Sequence, residues 1–356
     1  MQNVFVTNTP TRKVLKTALQ KDVTVYRNFF MPLCSILWDP DKEFWMLEHF
    51  NNIYYIKDKS GYTWLDYLEP NGFTEDVLNI TSRLYEDIKS KDIVKLLKKQ
   101  IDNGLYSTIF VDEFYLNGIY KDTRHLVSEM FITGYDDDEK KFFGIGYTDS
   151  REVDYITFTY DEIRIGFASL TTGVVDIEDC PIWVKLFTMQ AYKLLDINNG
   201  KTADIEAFKR DIRSYYTSEE HPELLRSQNV KEFGADAIYG IKAQEVVLQA
   251  IRDLLKGEFK TDYRHIHLIS EHKKMLVKKF TYIDKNIHPV AKTILDGSKT
   301  VSMNIELSRI LYLKSAMQEG NMYAALKNET TIKKIVSLIE KAITEERVYL
   351  EEYLNS

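Results

Sequence analysis

The pattern of hydrophobic and polar positions divides the chain into two parts with different periodicities. Up to about residue 190, apolar and polar residues alternate over short runs separated by turn residues, as in "LVSEMFITG" and "KKFFGIGYT". Beyond it, apolar residues recur every three or four positions over long stretches, as in "AIYGIKAQEVVLQAIRDLLKG". Alternation predicts strands, and the longer spacing predicts amphipathic helices. We therefore expect an α+β domain over residues 1–195 and an all-helical domain over 196–356, with "DINNGK" (Asp196–Lys201) at the boundary.

Individual elements of the first part follow from local patterns. The runs "NIYYIKD" and "YTWLDYLE" flank "KSG" and predict a hairpin, and "DPDKEFWMLEHF" predicts a short helix that begins near Asp39 or Asp41. An amphipathic helix is predicted before Gly104, which favours a helix end. Four strands are predicted in "LYSTIFVDEFYL", "LVSEMFITG", "KKFFGIGYT" and "VDYITFT". The turn "YDDDEK" between the second and third should pair Gly134 with Lys141.

Composition narrows the classes of function. The net charge of −7 argues against non-specific binding to nucleic acid or to an anionic membrane surface, because both require a basic face. Two cysteines in 356 residues do not make a disulfide framework and fit a reducing cytoplasm. No run approaches 18 apolar residues, so no membrane span is expected. The N-terminal stretch also lacks the apolar segment of a signal peptide.

The chain carries the residue types of a cysteine-nucleophile site. Cys34 comes first, His125 precedes a strand that ends in Gly-Tyr-Asp, and Asp149 closes the next strand. Such a site needs a thiolate, a histidine that takes and returns a proton, and a polar group that orients the histidine. Asn28, six residues before Cys34, has an amide that can donate to a developing oxyanion. The helix after Cys34 is predicted to begin five or more residues beyond it.

The segment "VDEFYLNGIYKDTRHLVSEMFITGYDDDEKKFFGIGYTD" resembles the papain-like, C39-like domains of natural-product biosynthesis. Among these is the N-terminal domain type named for a butirosin-pathway acyl-transfer protein. The shared pattern is a histidine, a short apolar strand, Gly-Tyr-Asp, a turn and a strand that leads to an acid. The helical segment "DYRHIHLISEHKKMLVKKFTYI" is similar to the C-terminal segment of proteins from the same pathways.

This resemblance implies a papain-like domain followed by a helical domain, and a bacterial acyltransferase. In papain-like enzymes the cysteine begins a helix, and the histidine and acid lie on strands of the following sheet. The implied reaction moves an acyl or peptidyl group from a phosphopantetheine-bearing carrier protein, through a thioester on Cys34, to an amine. His125 would be the base, Asp149 its orienting group and Asn28 the oxyanion donor. One departure is that His125 lies nine residues before Gly134 rather than six or seven.

Other interpretations of the same residues remain open. Cys34 can be a buried structural thiol, as Cys180 is expected to be, and His125 can be a polar residue at the mouth of a hairpin. Asp149 can be a turn residue, and Asp112 can face the same cleft as His125. The alternative functions are a binding protein that kept the fold and lost the chemistry, and a cysteine peptidase or thioester hydrolase.

No metal or cofactor is expected. His265, His267 and His272, with Glu271, are the richest group of potential ligands, but helical spacing places His267 with Glu271 on one face and the other two on another. The motif HExxH is absent. The G-x-G of "FGIGYTDS" lacks the third glycine and the following helix of a phosphate-binding loop, and the G-x-S-x-G motif of serine hydrolases does not occur.

Overall fold

The chain forms two compact units, and their boundaries do not coincide with a single division at residue 195. The computed structural model describes residues 9–57, 63–69, 73–88, 92–196, 203–221, 236–256, 262–318 and 326–356. One unit comprises residues 1–42 and 74–200, and the other comprises residues 43–73 and 201–356. The expected boundary segment 196–201 lies, except for Asp196, outside the described residues. Residues 43–73, which the sequence grouped with the strand-rich part, belong to the helical unit.

The described residues form ten strands and nine α-helices. The strands are β1 (Arg12–Val14), β2 (Ile53–Lys57), β3 (Thr63–Tyr67), β4 (Leu78–Arg83), β5 (Tyr106–Asp112), β6 (Val127–Asp136), β7 (Lys141–Tyr147), β8 (Val153–Thr159), β9 (Met189–Leu194) and β10 (Asp236–Tyr239). The helices are α1 (Arg27–Ile36), α2 (Ile93–Asp102), α3 (Tyr160–Thr171), α4 (Ile182–Leu186), α5 (Ile205–Thr217), α6 (Gly240–Asp253), α7 (Tyr263–Asn286), α8 (Lys292–Gln318) and α9 (Glu329–Asn355). The predicted α+β class is confirmed, as is the helical C-terminal region.

The first unit contains a seven-stranded antiparallel sheet. Its order is β4-β9-β5-β6-β7-β8, and β1 pairs with the end of β6. The four strands expected from alternation, β5 to β8, are all present, and each pairs with the next one along the chain. The short strands β1, β4 and β9 were not expected.

The core of this unit lies where two helices cover the central strands. Ile109 of β5 and Met130 of β6 are opposite each other and fully or almost fully buried. They pack in one apolar cluster with Leu97 of α2 and Phe167 of α3. Because side chains alternate along a strand, the residues next to Ile109 in β5 and next to Met130 in β6 lie on the other face of the sheet. This packing fixes the end of β5, which matters for the site described below.

The β6–β7 hairpin has a different register from the predicted one. Asp136 pairs with Lys141, and Gly134 pairs with Phe143, two residues further along than expected. A bulge between Ile132 and Gly134 then shifts the pairing so that Ile132 faces Gly144. The turn is therefore shorter than "YDDDEK", because β6 continues through Tyr135 and Asp136.

The second unit combines a three-stranded sheet with helices α5 to α9. The hairpin predicted from residues 52–69 is confirmed as β2–β3, and β10 adds to its other edge; the "KSG" turn itself lies outside the described residues. The predicted short helix in "DPDKEFWMLEHF" is a 3₁₀ helix, Pro40–Leu47. All five helices expected from three- and four-residue spacing are present, and the longest are α8 and α9.

Gly240 is the residue on which the junction between β10 and α6 depends. Its φ is +60°, and a Cβ atom there would overlap the carbonyl oxygen of Tyr215 on α5. Gly104, just beyond α2, also has a positive φ of +75°, but a Cβ atom there would meet nothing within 4 Å. The two glycines share one backbone constraint and differ in available space.

We predict that Gly240→Ala destabilises the protein more than Gly104→Ala. The strained φ should cost each variant about 1–2 kcal/mol, and the overlap at residue 240 should add roughly 1–3 kcal/mol. Urea unfolding of both variants and the wild type measures the difference. Equal losses would contradict the close approach of α5 to Gly240.

Candidate functional site

His125 is paired with Asp112, the last residue of β5. Asp112 is opposite Val127 in the β5–β6 ladder, so the end of β5 lies beside the residues that lead into β6. The Nδ1 atom of His125 is 2.6 Å from Oδ2 of Asp112. The sequence placed Asp112 near this cleft as one interpretation and Asp149 as the main expectation. The orienting carboxylate in the structure is that of Asp112.

The Asp112 carboxylate is fully buried and surrounded by donors. Oδ1 accepts hydrogen bonds from the backbone N–H groups of Phe114 (3.1 Å) and Leu126 (3.2 Å). Oδ2 accepts from the hydroxyl of Ser169 (3.2 Å) and from His125. A buried carboxylate is costly unless donors replace its lost water. These contacts satisfy both oxygens and hold the carboxylate in one orientation.

Helix α3 reaches Asp112 because of a glycine. A Cβ atom at Gly166 would lie 3.0 Å from the carbonyl oxygen of Asp112, so a larger residue would press against the end of β5. Ser169 follows one turn later, and its hydroxyl is shared between Asp112 and the carbonyl of Gly166 (3.0 Å). Gly166 therefore sets the distance at which Ser169 can contact the buried carboxylate.

The imidazole of His125 is fixed in orientation while part of it faces solvent. Its ring stacks on Phe114 with centroids 4.3 Å apart and an angle of 14° between the planes. The side chain is 43% exposed, and its Nε2 atom makes no hydrogen bond within the part of the chain that the structure describes. When Nδ1–H donates to Asp112, the lone pair is on Nε2. This is the geometry of a general base with an orienting carboxylate.

The N-terminal end of α1 is hydrogen-bonded to residues next to the His125–Asp112 pair. Arg27, the first residue of α1, donates to the Glu113 carboxylate at 2.9 Å and to the carbonyl of Glu129 at 2.7 Å. The backbone N–H of Glu113 in turn donates to the carbonyl of Leu126, next to His125. A papain-like site would place its cysteine at this end of a helix. Here the first turn of α1 carries Arg27, Asn28 and Phe29, and no thiol.

Cys34 does not occupy the position expected of a nucleophile. The helix predicted beyond Cys34 is the 3₁₀ helix Pro40–Leu47, but a further helix, α1, begins seven residues before Cys34. Cys34 therefore lies in the last turn of α1, where the helix dipole disfavours a thiolate. Its side chain is fully buried. Burial raises the pKa of the thiol to about 12, against a smaller lowering by a backbone hydrogen bond from Gln20. Among the described residues no hydrogen bond joins Cys34 to His125.

Asn28 and Asp149 also do not lie where their expected roles require them. Asn28 is exposed in the first turn of α1, and Cys34 lies about 9 Å further along the helix axis and inside the core. Asp149 lies in the turn after β7, where its Oδ1 is 3.8 Å from the position of a Cβ atom on Gly118. No hydrogen bond between Asp149 and His125 is found in the described ranges. The expected triad of Cys34, His125 and Asp149 is therefore not assembled.

Cys180 differs from Cys34 in being partly exposed. Its thiol lies 3.7 Å from the carbonyl oxygen of Asp176. Partial burial raises its pKa, and the carboxylates of Asp179 and Asp176 add to the rise. An acidic neighbourhood makes Cys180 a poor thiolate, although reagents can reach it more easily than Cys34.

No protein-family model matches the chain, and no curated protein sequence matches it. Within the described ranges, no helix has the length and apolar character needed to cross a membrane. No three His, Cys, Asp or Glu side chains of the described residues lie close enough together to hold a metal ion. His267 and Glu271 form the i, i+4 pair expected from their spacing, at 3.1 Å.

The second unit contains a buried ion pair that the sequence analysis did not find. Lys273 of α7 and Glu346 of α9 are fully buried and 2.7 Å apart. The Lys273 ammonium also donates to the hydroxyl of Tyr215 at 2.6 Å and to Nδ1 of His272 at 3.1 Å, so each of its three protons has an acceptor. Gln244 completes the group by donating to Glu346 at 2.9 Å. Burial lowers the pKa of Lys273, and Glu346 opposes this change.

This group, which we call the Lys273 network, extends to residues 43–73. Nε2 of His272 donates to the carbonyl of Asn51 at 2.9 Å. Lys279, one further buried lysine of α7, donates to the side-chain oxygen of Asn51 at 2.5 Å and to the carbonyl of His49. The network therefore explains why the segment after Lys42 belongs with the helices. It is enclosed, and its charged groups are hydrogen-bonded, although Oε1 of Gln244 has no partner among the described residues. This arrangement indicates a structural role.

Cys34 and Cys180 should differ in reactivity towards iodoacetamide. We expect native protein to be modified at Cys180 and to remain unmodified at Cys34, because Cys34 is buried and its thiol pKa is raised to about 12. Peptide mapping after labelling at neutral pH distinguishes the two thiols, and urea-unfolded protein is the control in which both react. Rapid native labelling of Cys34 would restore it as a candidate nucleophile.

His265 should make the second unit sensitive to acid. It is almost fully buried, its Nε2 atom has no partner, and burial lowers its pKa from 6.5 to about 4. Below pH 6.5 the unfolded chain takes up a proton that the folded state does not accept, so stability falls as the pH falls towards 4. We predict that, between pH 6.5 and pH 4, the free energy of unfolding of His265→Phe falls by about 3 kcal/mol less than that of the wild type. Urea unfolding at several pH values measures the difference, which should stay constant above pH 7.

Proposed function

We propose that the protein transfers an acyl group from a carrier-protein thioester to an amine by general-base catalysis at His125, without an acyl-enzyme intermediate. The observation that carries this proposal is the hydrogen bond between the partly exposed His125 and the buried Asp112. The acyl donor and the amine acceptor come from the resemblance to natural-product acyl-transfer proteins. The burial of Cys34 supports a route without a covalent step.

The proposed chemistry requires one base that takes a proton and then returns it. The amine nitrogen attacks the thioester carbonyl, and Nε2 of His125 removes the proton that the nitrogen must lose. The C–S bond then breaks, and the imidazolium returns the proton to the leaving thiolate of phosphopantetheine. Asp112 stabilises the imidazolium between these steps, because its carboxylate accepts the Nδ1–H bond throughout. The products are an amide and a free thiol.

A second function, carrier binding without chemistry, is supported by the first turn of α1. Arg27 is fixed there by Glu113 and by the Glu129 carbonyl, where a papain-like enzyme would carry its thiol. A fold that kept the histidine and acid but not the cysteine can bind a related substrate without turning it over. The third alternative, a hydrolase, would use water in place of the amine at the same base.

Substitutions of His125 and of the two carboxylates test the proposal. The assay uses single turnover of an acyl thioester of N-acetylcysteamine, the thiol end of phosphopantetheine, with a panel of amines. We expect His125→Ala to lower the rate by about 10²–10⁴-fold, which is the usual contribution of a general base. Asp112→Asn should cause a large loss, because its amide cannot serve as the anionic acceptor for Nδ1–H. Asp149→Asn and Cys34→Ala should leave the rate close to that of the wild type.

The outcomes separate the three functions. Amide product with no mass increase on the protein supports general-base transfer, and free acid alone supports a hydrolase. An acyl adduct on the enzyme that is lost in Cys34→Ala would contradict the non-covalent route. No turnover by the wild type, together with binding of an acylated carrier protein, would leave the binding function. Circular dichroism and melting curves of the variants show whether any loss reflects unfolding.

A further inference from the structure

The face of α8 that is turned away from the core carries a row of exposed apolar side chains. Met303 is 71% exposed, Leu307 40%, Ile310 47% and Met317 68%. Leu313, in the same row, is half-buried. Spacings of three and four residues place all five on one side of the helix. Single exposed apolar residues are common, but a contiguous row marks an interaction surface.

The row is symmetric about Ile310. Leu307 and Leu313 lie three residues before and after it, and Met303 and Met317 lie seven residues before and after it. When two copies of a helix run antiparallel about a two-fold axis at one residue, positions equally far before and after that residue come to the same level. In such a pair Met303 would meet the partner's Met317, and Leu307 would meet the partner's Leu313. The pattern is therefore complementary to itself.

Charges beside the row follow the same symmetry. Glu306 lies four residues before Ile310, and Lys314 lies four residues after it. Glu306 is already paired with Arg309 and Lys274 and accepts from Ser270, so its charge adds less to the pairing than the apolar row, and Lys314 is exposed. An antiparallel pair brings Glu306 of one copy to the level of Lys314 in the other. A parallel pair would instead bring like charges to the same level, which is unfavourable.

We propose that α8 is a self-association surface on which two copies of this chain pair antiparallel about Ile310. The contact is isologous, because the same face of both copies takes part. A shallow groove lined by Ile310, Leu313, Lys314 and Met317 is where Met303 of the second copy would lie. The unbranched, flexible Met side chain suits an irregular groove of this kind.

The symmetry is the reason for choosing a second copy as the occupant. A partner of another sequence would need an apolar row, but it would not need that row to be matched around one residue or to carry opposite charges at equal distances. The apolar row covers roughly 20 Å of helix. A contact of this length favours a weak, concentration-dependent dimer rather than an obligate one.

Analytical ultracentrifugation over a range of concentrations tests the association. The wild type should form dimers, and Ile310→Glu should weaken association by about 30-fold or more, as expected at the centre of an interface. Val174→Glu, which changes another exposed apolar residue (52% exposed), is the matched control and should leave the dimer intact. A wild type that stays monomeric at high concentration, or a dimer that Ile310→Glu does not weaken, would overturn the proposal.

Cysteine cross-linking tests the antiparallel geometry, in a Cys180→Ser background that removes the accessible native thiol. Helix axes 8–10 Å apart would place the two Cα atoms of residue 310 roughly 4–5 Å apart, close enough for a disulfide. We expect mild oxidation to join copies of Ile310→Cys, and also copies that carry both Met303→Cys and Met317→Cys. Met303→Cys alone should join poorly. Efficient joining through Met303→Cys alone would indicate a parallel pair and exclude the proposed one.

Discussion

The buried carboxylate of Asp112 is the constraint on which the arrangement of the first unit's site depends. It accepts hydrogen bonds from the backbone at both sides of the β5–β6 junction, from a hydroxyl on α3 and from His125. Each of these elements must be in place before the charge can be buried at acceptable cost. The imidazole is oriented by a carboxylate that the fold itself holds in place. This rigidity is what general-base catalysis needs from a scaffold.

A similar constraint organises the second unit through the Lys273 network. Removal of one partner from a buried ion pair leaves an uncompensated charge, which typically costs about 3–5 kcal/mol. Lys273 has three acceptors, and Asn51 connects the network to the segment that precedes β2. The pairing therefore fixes which helices are neighbours and how residues 43–73 join them. Apolar packing alone would tolerate small shifts of one helix along another, whereas these hydrogen bonds do not.

The elements that could be predicted from sequence are those whose periodicity is long or regular. Strands β5 to β8 and helices α5 to α9 have such patterns and were expected. Strand β1 has three residues and β4 is largely exposed, so neither has an alternation long enough to recognise. Strand β9 has adjacent buried residues, Ala191 and Tyr192, and so lacks a regular alternation. Helix α1 was missed because Pro32 lies inside it and suggests a helix end. The Lys273 network escaped notice because a buried lysine and an exposed one are identical in a sequence pattern.

The sequence pattern also identified only part of the candidate site. His125 was identified from its place before a strand, and Asp149 was chosen as its partner from a β6–β7 register that is two residues from the observed one. The observed partner, Asp112, lies at the end of β5 and precedes a 3₁₀ turn. The nucleophile was sought at Cys34 because it precedes His125 and Asp149 in the chain order of papain-like enzymes, and chain order gives no information about burial. Since α1 begins at Arg27, the thiol lies in the last turn of the helix rather than the first, and a shift of seven residues changes both its access to solvent and the sign of the helix dipole that acts on it. The location of a helix start thus decides whether Cys34 lies at an accessible helix N-terminus or in the buried last turn.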